Sequence, residues 1–138
     1  MPHQTHTITI TTNGPSLTEF TRETANWIGT QAITAGLLTL FCRHTSASLL
    51  IQENAAPEVQ DDLIAAFQRF APEGPHYLHD SEGPDDMPAH IKAALTQTHL
   101  SIPVVDGRLA LGTWQGIYLF EHRRQAHQRQ IVMHLTGD

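Results

Sequence analysis

One stretch of the sequence brings imidazole and carboxylate side chains close together. Asp86 and His90 are four residues apart, so they share one face if the segment is helical. A carboxylate and an imidazole on one face resemble half of a metal site, or a base with its orienting partner. His79 precedes them and could return to complete the site. Alternatively, Asp86 caps the helix and His90 is a solvated helix residue.

A second group of polar residues, His44 to Ser48, lies where one apolar stretch ends and another begins. Its hydroxyls and backbone amides could bind a phosphate or orient a ligand. Alternatively, Thr45 and Ser46 satisfy the backbone of a simple turn. Glu53 and Asn54 follow the next apolar stretch. Glu53 could be an acid, a base, a metal ligand or a charge near a helix N-terminus, whereas Asn54 could cap that helix.

A third group comes late in the chain, where Gly112 and Gly116 flank Trp114 and Gln115. Flanking glycines favour a close backbone approach and a pocket wall, although a structural tryptophan in a β-bulge would give the same pattern. Glu121 and the next residue, a histidine, are adjacent on a predicted strand and therefore point to opposite faces. At most one of the two is expected to join a given site.

Hydrophobic periodicity predicts the elements that must position these groups. Three helices are predicted. The first covers about 16–30 and begins with a capping-box serine, the second begins at the proline at 57, and the third begins with an aspartate cap at 85 or 86. Six to eight strands are predicted, among them 4–12, 37–44, 48–52, 100–105, 108–111, 117–122 and 129–136. Asp106-Gly107 is a hairpin turn, and 71–88 is a long polar connection. The class is therefore α+β with antiparallel sheet.

Composition limits the possible partners. The 138 residues carry a formal net charge of -6 with only 8 Lys and Arg, which argues against nucleic-acid binding. No apolar stretch approaches the roughly 20 residues of a membrane span, and the N-terminus does not look like a signal peptide, so a cytoplasmic location is expected. The single cysteine, Cys42, lies in an apolar run and is expected to be buried.

Three long strings, HTSASLLIQEN, HDSEGPDDMPAHIKAAL and IPVVDGRLALGTWQGIYLFEHR, closely resemble the YjbQ family in their order and spacing. The resemblance runs from about residue 4 to 137, so residues 1–138 are interpreted as one YjbQ-like domain. It implies a two-layer α+β fold with antiparallel sheet, assembled as a homotrimer. Members are described as secondary thiamine-phosphate synthases, which join a pyrimidine methyl diphosphate to a thiazole phosphate and release pyrophosphate.

The resemblance also implies a set of site residues. Those carried over to catalysis are Thr45, Ser46, Glu53, Asn54, Asp86, Trp114, Gln115 and Glu121, with Asp62 as a further shared position. Phosphate binding is expected from Thr45, Ser46, Lys92, Arg108 and Arg123. A divalent metal ion, zinc or magnesium, is the expected cofactor, and His44, His79 and His90 are our candidate ligands because three neutral imidazoles suit zinc.

The chain departs from the family pattern at one position of chemical interest. Ala56 stands where the family usually carries an aspartate, just before the proline that opens the second helix. If that aspartate binds metal or acts as a base, the synthase reaction is affected. Two alternatives therefore stand beside the synthase: a metal-dependent hydrolase or phosphatase with another substrate, and a non-catalytic trimeric module that binds metal or an anion.

Overall fold

The computed structural model describes residues 2–138 and contains three helices and eight strands, arranged in antiparallel sheets. The predicted α+β class is thereby confirmed. The elements in chain order are β1 (His3–Asn13), β2 (Ser16–Glu19), α1 (Thr21–Gly29), β3 (Gly36–Cys42), β4 (Ala47–Glu53), α2 (Pro57–Phe70), α3 (Asp86–Leu95), β5 (His99–Val105), β6 (Arg108–Leu109), β7 (Gln115–Glu121) and β8 (Ala126–Gly137).

The strands form two sheets that share one hydrophobic core. The larger sheet has the order β1-β8-β3-β5-β6 and the smaller one β2-β7-β4. Alternate residues of β3 and β8 point inward and meet inward-facing residues of β4 and β7, so both sheets contribute to the same core. The principal core side chains are Leu38, Leu40, Leu49, Ile117, Leu119, Ile131, Met133 and Leu135. Cys42 is buried in this core, as predicted.

The first helix begins later than predicted. Ser16–Glu19 is a strand that pairs with β7, and α1 starts only at Thr21. The capping-box interpretation of Ser16 is wrong because its hydroxyl donates to the carbonyl of Gly14 and not to a helix amide. Pairing with a neighbouring strand therefore outweighs the local helix signal.

The other predicted elements match the structure within a few residues. The second helix starts at Pro57, and Asp106 and Gly107 both have positive φ in the hairpin turn between β5 and β6. None of the helices in the described part of the chain is long and apolar enough to cross a membrane.

Candidate functional site

The first turns of α3 carry two of the three groups that form the candidate metal centre. Asp86 Oδ2 lies 3.0 Å from Nε2 of His90, one turn along the helix. The preceding loop returns, as predicted, to bring Nε2 of His79 within 2.7 Å of the same oxygen. The three ligand atoms all lie within 4.8 Å of one another. A tetrahedral ion with ligands at about 2.0–2.1 Å holds them about 3.3 Å apart. That spacing is longer than the 2.7 and 3.0 Å from Asp86 Oδ2 and shorter than the 4.8 Å limit of the set, so small side-chain shifts would seat an ion.

Arg123 fixes the carboxylate at the centre of this group. Its Nη1 donates to Asp86 Oδ1 over 2.6 Å, its Nε donates to Asp85 Oδ2, and its Nη2 donates to the carbonyl of Glu82. Burial raises the pKa of Asp86, but hydrogen bonds from His79 and the charges of His90 and Arg123 outweigh it and lower the pKa overall. Asp86 is therefore a charged carboxylate that presents Oδ2 to the two imidazoles.

The hydrogen bonds of His90 determine which of its nitrogens is available. Nδ1 lies 2.8 Å from the carbonyl oxygen of Thr45. Because a carbonyl only accepts, Nδ1 must carry a proton, and Nε2 of the neutral ring is then a lone pair. The Asp86 carboxylate, 3.0 Å away, repels this lone pair unless Nε2 is also protonated or a cation lies between the two groups. Ligating histidines commonly make this Nδ1–H to carbonyl bond.

His44 does not join the group. Its Nε2 lies 2.8 Å from the backbone amide of Gln130, which can only donate, so the Nε2 lone pair is occupied. Burial, assisted by the charge of Arg129, lowers the pKa of His44, which favours the neutral ring. The structure therefore brings His79 and His90 together without His44, and Asp86 takes the third position.

A cavity opens beside this centre, and a second cavity adjoins the first. One, of about 540 Å³, is lined by His90 together with Ala93 and Ala94. The other, of about 600 Å³, is lined by Arg43 and Arg129. Both are also lined by His44, Thr45 and Thr98. The turn at 44–45, predicted as a ligand-orienting segment, therefore lies between the candidate metal centre and a cavity.

Glu121 and Ser46, both predicted as catalytic, belong to a buried ion-pair network. Glu121 is fully buried and accepts from Nε and Nη2 of Arg129 and from the Thr12 hydroxyl. Arg129 Nη2 also donates to the carbonyl and hydroxyl oxygens of Ser46. This network holds the turn at 44–46 against β8, so it positions Thr45.

None of the three cations predicted to bind phosphate is available for that role beside the candidate metal centre. Lys92 is 5% exposed and donates to the side-chain oxygen of Gln68. Arg108 is on β6 and lines a separate cavity beside α1. Arg123 is engaged by Asp85 and Asp86.

The remaining predicted residues lie at the opposite end of the smaller sheet. In the β4–β7 register Ala47 pairs with Glu121, whereas Glu53 pairs with Gln115. Six residue steps correspond to about 20 Å. Asn54 donates to Glu19 and does not cap α2, and Trp114 is 63% exposed. Within one chain these residues are therefore separated from the candidate metal centre.

The structure shows what position Ala56 occupies, where the family usually carries an aspartate. Ala56 occupies the N-cap position of α2 and makes no side-chain cap hydrogen bond there. Glu53 Oε2 instead accepts from the amides of Ala55 and Ala56. An aspartate at this position would be a favourable cap.

The sequence interpretation missed a second buried network. The Ser48 hydroxyl lies 2.9 Å from His122 Nε2 and close to the Thr96 hydroxyl, so it connects the end of α3 to β4 and β7. His122 Nδ1 is the one fully buried side-chain nitrogen or oxygen among the described residues without a hydrogen-bond partner. Arg129 was missed too, although it continues the inward-facing alternation of Ile131 and Met133 along β8.

Known proteins resemble this chain over almost all of its length. The family model described as "UPF0047 protein YjbQ-like" matches residues 6–138. A UPF0047 protein of Synechocystis sp. is 50% identical over 132 residues, which cover 95% of this chain and 90% of that protein. The UPF0047 protein YjbQ of Escherichia coli O157:H7 is 47% identical over 106 residues, 77% of each chain.

Solved structures of similar proteins share this fold. A hypothetical protein of Aeropyrum pernix K1 superimposes with a TM-score of 0.90 at 26% identity, over 98% of this chain and 99% of that one. An uncharacterised YjbQ/UPF0047-family protein of Clostridium acetobutylicum gives a TM-score of 0.85 at 29% identity, over 96% and 99% of the two chains. These names specify a family and a fold but no reaction.

Proposed function

Because the chain belongs to the YjbQ-like UPF0047 family, we propose that it is a metal-dependent enzyme acting on a small phosphorylated molecule. The divalent ion is held by His79, Asp86 and His90. The observation that carries this proposal is the convergence of two Nε2 atoms on one carboxylate oxygen. For His90, the hydrogen bond from Nδ1 to the Thr45 carbonyl leaves the Nε2 lone pair free to bind a metal.

The donor set fits zinc. Two imidazoles and one carboxylate are a common protein ligand set for catalytic zinc, with a fourth position left for water or substrate. Such an ion polarises a phosphoryl or carbonyl oxygen and lowers the pKa of bound water. Arg123 keeps Asp86 ionised and oriented, and the Thr45 carbonyl keeps His90 in one tautomer. These two groups act through the ligands and are therefore positioning groups.

The reaction tested first is thiamine-phosphate formation, which the family resemblance implies. That transfer requires stabilisation of a diphosphate leaving group by a divalent ion and cationic or N–H donors. A phosphate-ester hydrolase is the second candidate, and one observation favours it. Lys92 and Arg123 are hydrogen-bonded to internal partners, and Arg108 lines a different cavity. None of the three cations proposed for a diphosphate is therefore free beside the metal centre.

We further propose that the protein assembles as a homotrimer, as the resemblance implies. Support comes from α2, which has no fully buried residue, and from large apolar side chains that remain exposed in one chain. These side chains are Leu37, Phe41, Phe70, Leu78, Leu95, Val105 and Trp114. Light scattering coupled to size exclusion should give three times the 15.3 kDa chain mass. A monodisperse monomer would contradict this assembly.

Activity is tested with chelator-treated protein resupplied with zinc, magnesium or manganese. The two substrates of the synthase form one arm and a panel of phosphate esters the other. We expect turnover only with metal, and its loss in Asp86→Asn. Asp85→Asn is the matched control, because Asp85 bonds Arg123 but offers no ligand atom to the cluster. Equal activity of the metal-free and metal-loaded proteins would refute the proposal.

A further inference from the structure

The cavity of about 600 Å³ combines an apolar wall from Phe41 and Cys42 with several hydrogen-bond donors, and no acid is among the described residues that line it. Its charged lining groups are Arg43 and Arg129. The remaining polar wall consists of His44 and the hydroxyl residues Thr45, Ser46 and Thr98. Because Glu121 balances the charge of Arg129, Arg43 supplies the uncompensated positive charge of this lining. A cavity with hydrogen-bond donors and one such cation suits an anion.

Arg129 supplies a rigid guanidinium at this cavity. The residue is 4% exposed, and its Nε and Nη2 are fixed by Glu121 and Ser46. Its Nη1 has no hydrogen-bond partner among residues 2–138, and it is not one of the fully buried unpaired atoms. The two N–H groups of Nη1 are therefore free for a ligand, and no side-chain ordering is needed to present them.

His44 supplies a second donor through a fixed tautomer. Since Nε2 accepts the Gln130 amide, the proton of the neutral ring is on Nδ1, which has no partner among the described residues. A neutral ring with Nδ1–H is a hydrogen-bond donor and a poor metal ligand. Thr45 and Thr98 add hydroxyls that make no side-chain hydrogen bond within the described part of the chain. Arg43 is exposed at the rim, where its Nη1 donates to the side-chain oxygen of Gln130 over 3.1 Å.

We infer that this cavity is the phosphoryl-binding subsite of the enzyme, with Arg129 Nη1 and His44 Nδ1–H as its principal donors. The inference rests on the proposed function, because it assigns the substrate's phosphate to a place next to the metal. It moves phosphate recognition from Lys92, Arg108 and Arg123 to residues that line this cavity. His44 thereby becomes a substrate-binding residue instead of a metal ligand.

A pair of substitutions at His44 separates its two nitrogens. The glutamine amide of His44→Gln reaches the position of Nε2 and can accept the Gln130 amide, but it removes the donor at Nδ1. The shorter asparagine side chain of His44→Asn places an amide donor near the position of Nδ1 but loses the hydrogen bond with the Gln130 amide. Isothermal titration of chelator-treated protein with inorganic phosphate should show binding weakened about tenfold in His44→Gln and kept within about threefold in His44→Asn.

A second pair tests the charge at the rim. Arg43→Gln should weaken phosphate binding, whereas Arg108→Gln, the same change at a different cavity, should leave it unchanged. Phenyl phosphate should compete with inorganic phosphate, because the subsite is assigned to a substrate ester. Nitrogen-15 shifts of the His44 ring should report the Nδ1–H tautomer.

Failure of this subsite and failure of the metal centre give different results. Phosphate binding that is unchanged in both His44→Gln and Arg43→Gln, or that appears only after metal is added, overturns the subsite. Binding of inorganic phosphate without competition by phenyl phosphate also overturns it. A wild-type protein that takes up no zinc but binds phosphate when metal-free contradicts the metal centre and leaves the subsite supported.

Discussion

Replacing Glu121 with glutamine tests whether this residue is a structural ion-pair partner or a catalytic group. Its carboxylate is fully buried and receives two bonds from Arg129 and one from Thr12. Glutamine keeps the size of the side chain but leaves the Arg129 charge, itself 4% exposed, without its counter-ion. Removing one partner of a buried ion pair costs about 3–5 kcal/mol.

The magnitude follows from the burial of both partners. Glutamine retains one acceptor oxygen, so we expect the lower end, about 3 kcal/mol. For a domain of this size each kcal/mol shifts Tm by about 3–4 °C, which predicts a fall of about 10 °C. Burial raises the pKa of Glu121, but hydrogen bonds from Arg129 and Thr12 lower it overall. The stabilisation is therefore present at neutral pH and is lost as the pH falls through the folded-state pKa, below 4.5.

Differential scanning calorimetry and urea unfolding at pH 7 measure the effect. Glu73→Gln is the matched control, because Glu73 pairs with Arg124 at an exposed site and such pairs contribute at most about 1 kcal/mol. The difference between wild type and Glu121→Gln should shrink at acid pH. A loss of less than about 1 kcal/mol at pH 7, or turnover abolished with Tm unchanged, would show that Glu121 is not the structural partner described here.

Two further predictions concern His122 and Gly36. Burial, with the charges of Lys92 and Arg129, lowers the pKa of His122 to about 3. Between about pH 6 and 4 this histidine is therefore protonated in the unfolded chain but neutral in the folded chain. In that range this group should lower the free energy of unfolding by about 1.4 kcal/mol for each unit by which the pH is lowered. Urea unfolding of His122→Gln should show a smaller dependence on pH, and an unchanged dependence would contradict the prediction. At Gly36 a Cβ would lie 2.1 Å from the carbonyl oxygen of Thr136, so Gly36→Ala should cost about 2–3 kcal/mol or more by chemical unfolding. Gly29→Ala, where a Cβ meets nothing within 4 Å, is the control and should be neutral or stabilising.

Much of the fold could be predicted from periodicity and turn chemistry. The alternation in β1, the apolar run of β3, Pro57 at the start of α2 and Asp106-Gly107 between β5 and β6 are local signals that agree with the final structure. The error at Ser16 has a different origin. The segment 16–19 forms a strand because β7, one hundred residues later, offers it backbone partners, and a local pattern contains no information about that pairing.

The candidate site likewise has features that follow from local sequence and features that depend on distant residues. Asp86 and His90 are one helical turn apart, so their proximity follows from local geometry, and the return of His79 was the natural completion. The tautomer of His44 could not be predicted, because it depends on the amide of Gln130 in a distant strand. The role of Arg129 was accessible in principle. A charged residue in phase with Ile131 and Met133 must be buried, and a buried arginine requires a partner such as Glu121.

His79, Asp86 and His90, and not His44, are proposed to hold a divalent metal ion. Zinc titration of chelator-treated wild type, Asp86→Asn, His90→Ala and His44→Gln, with calorimetric stoichiometry, tests this proposal most directly. We predict one ion per chain in wild type and His44→Gln, with affinity lost in the other two variants. Zinc uptake that is abolished by His44→Gln and unaffected by Asp86→Asn would contradict the account.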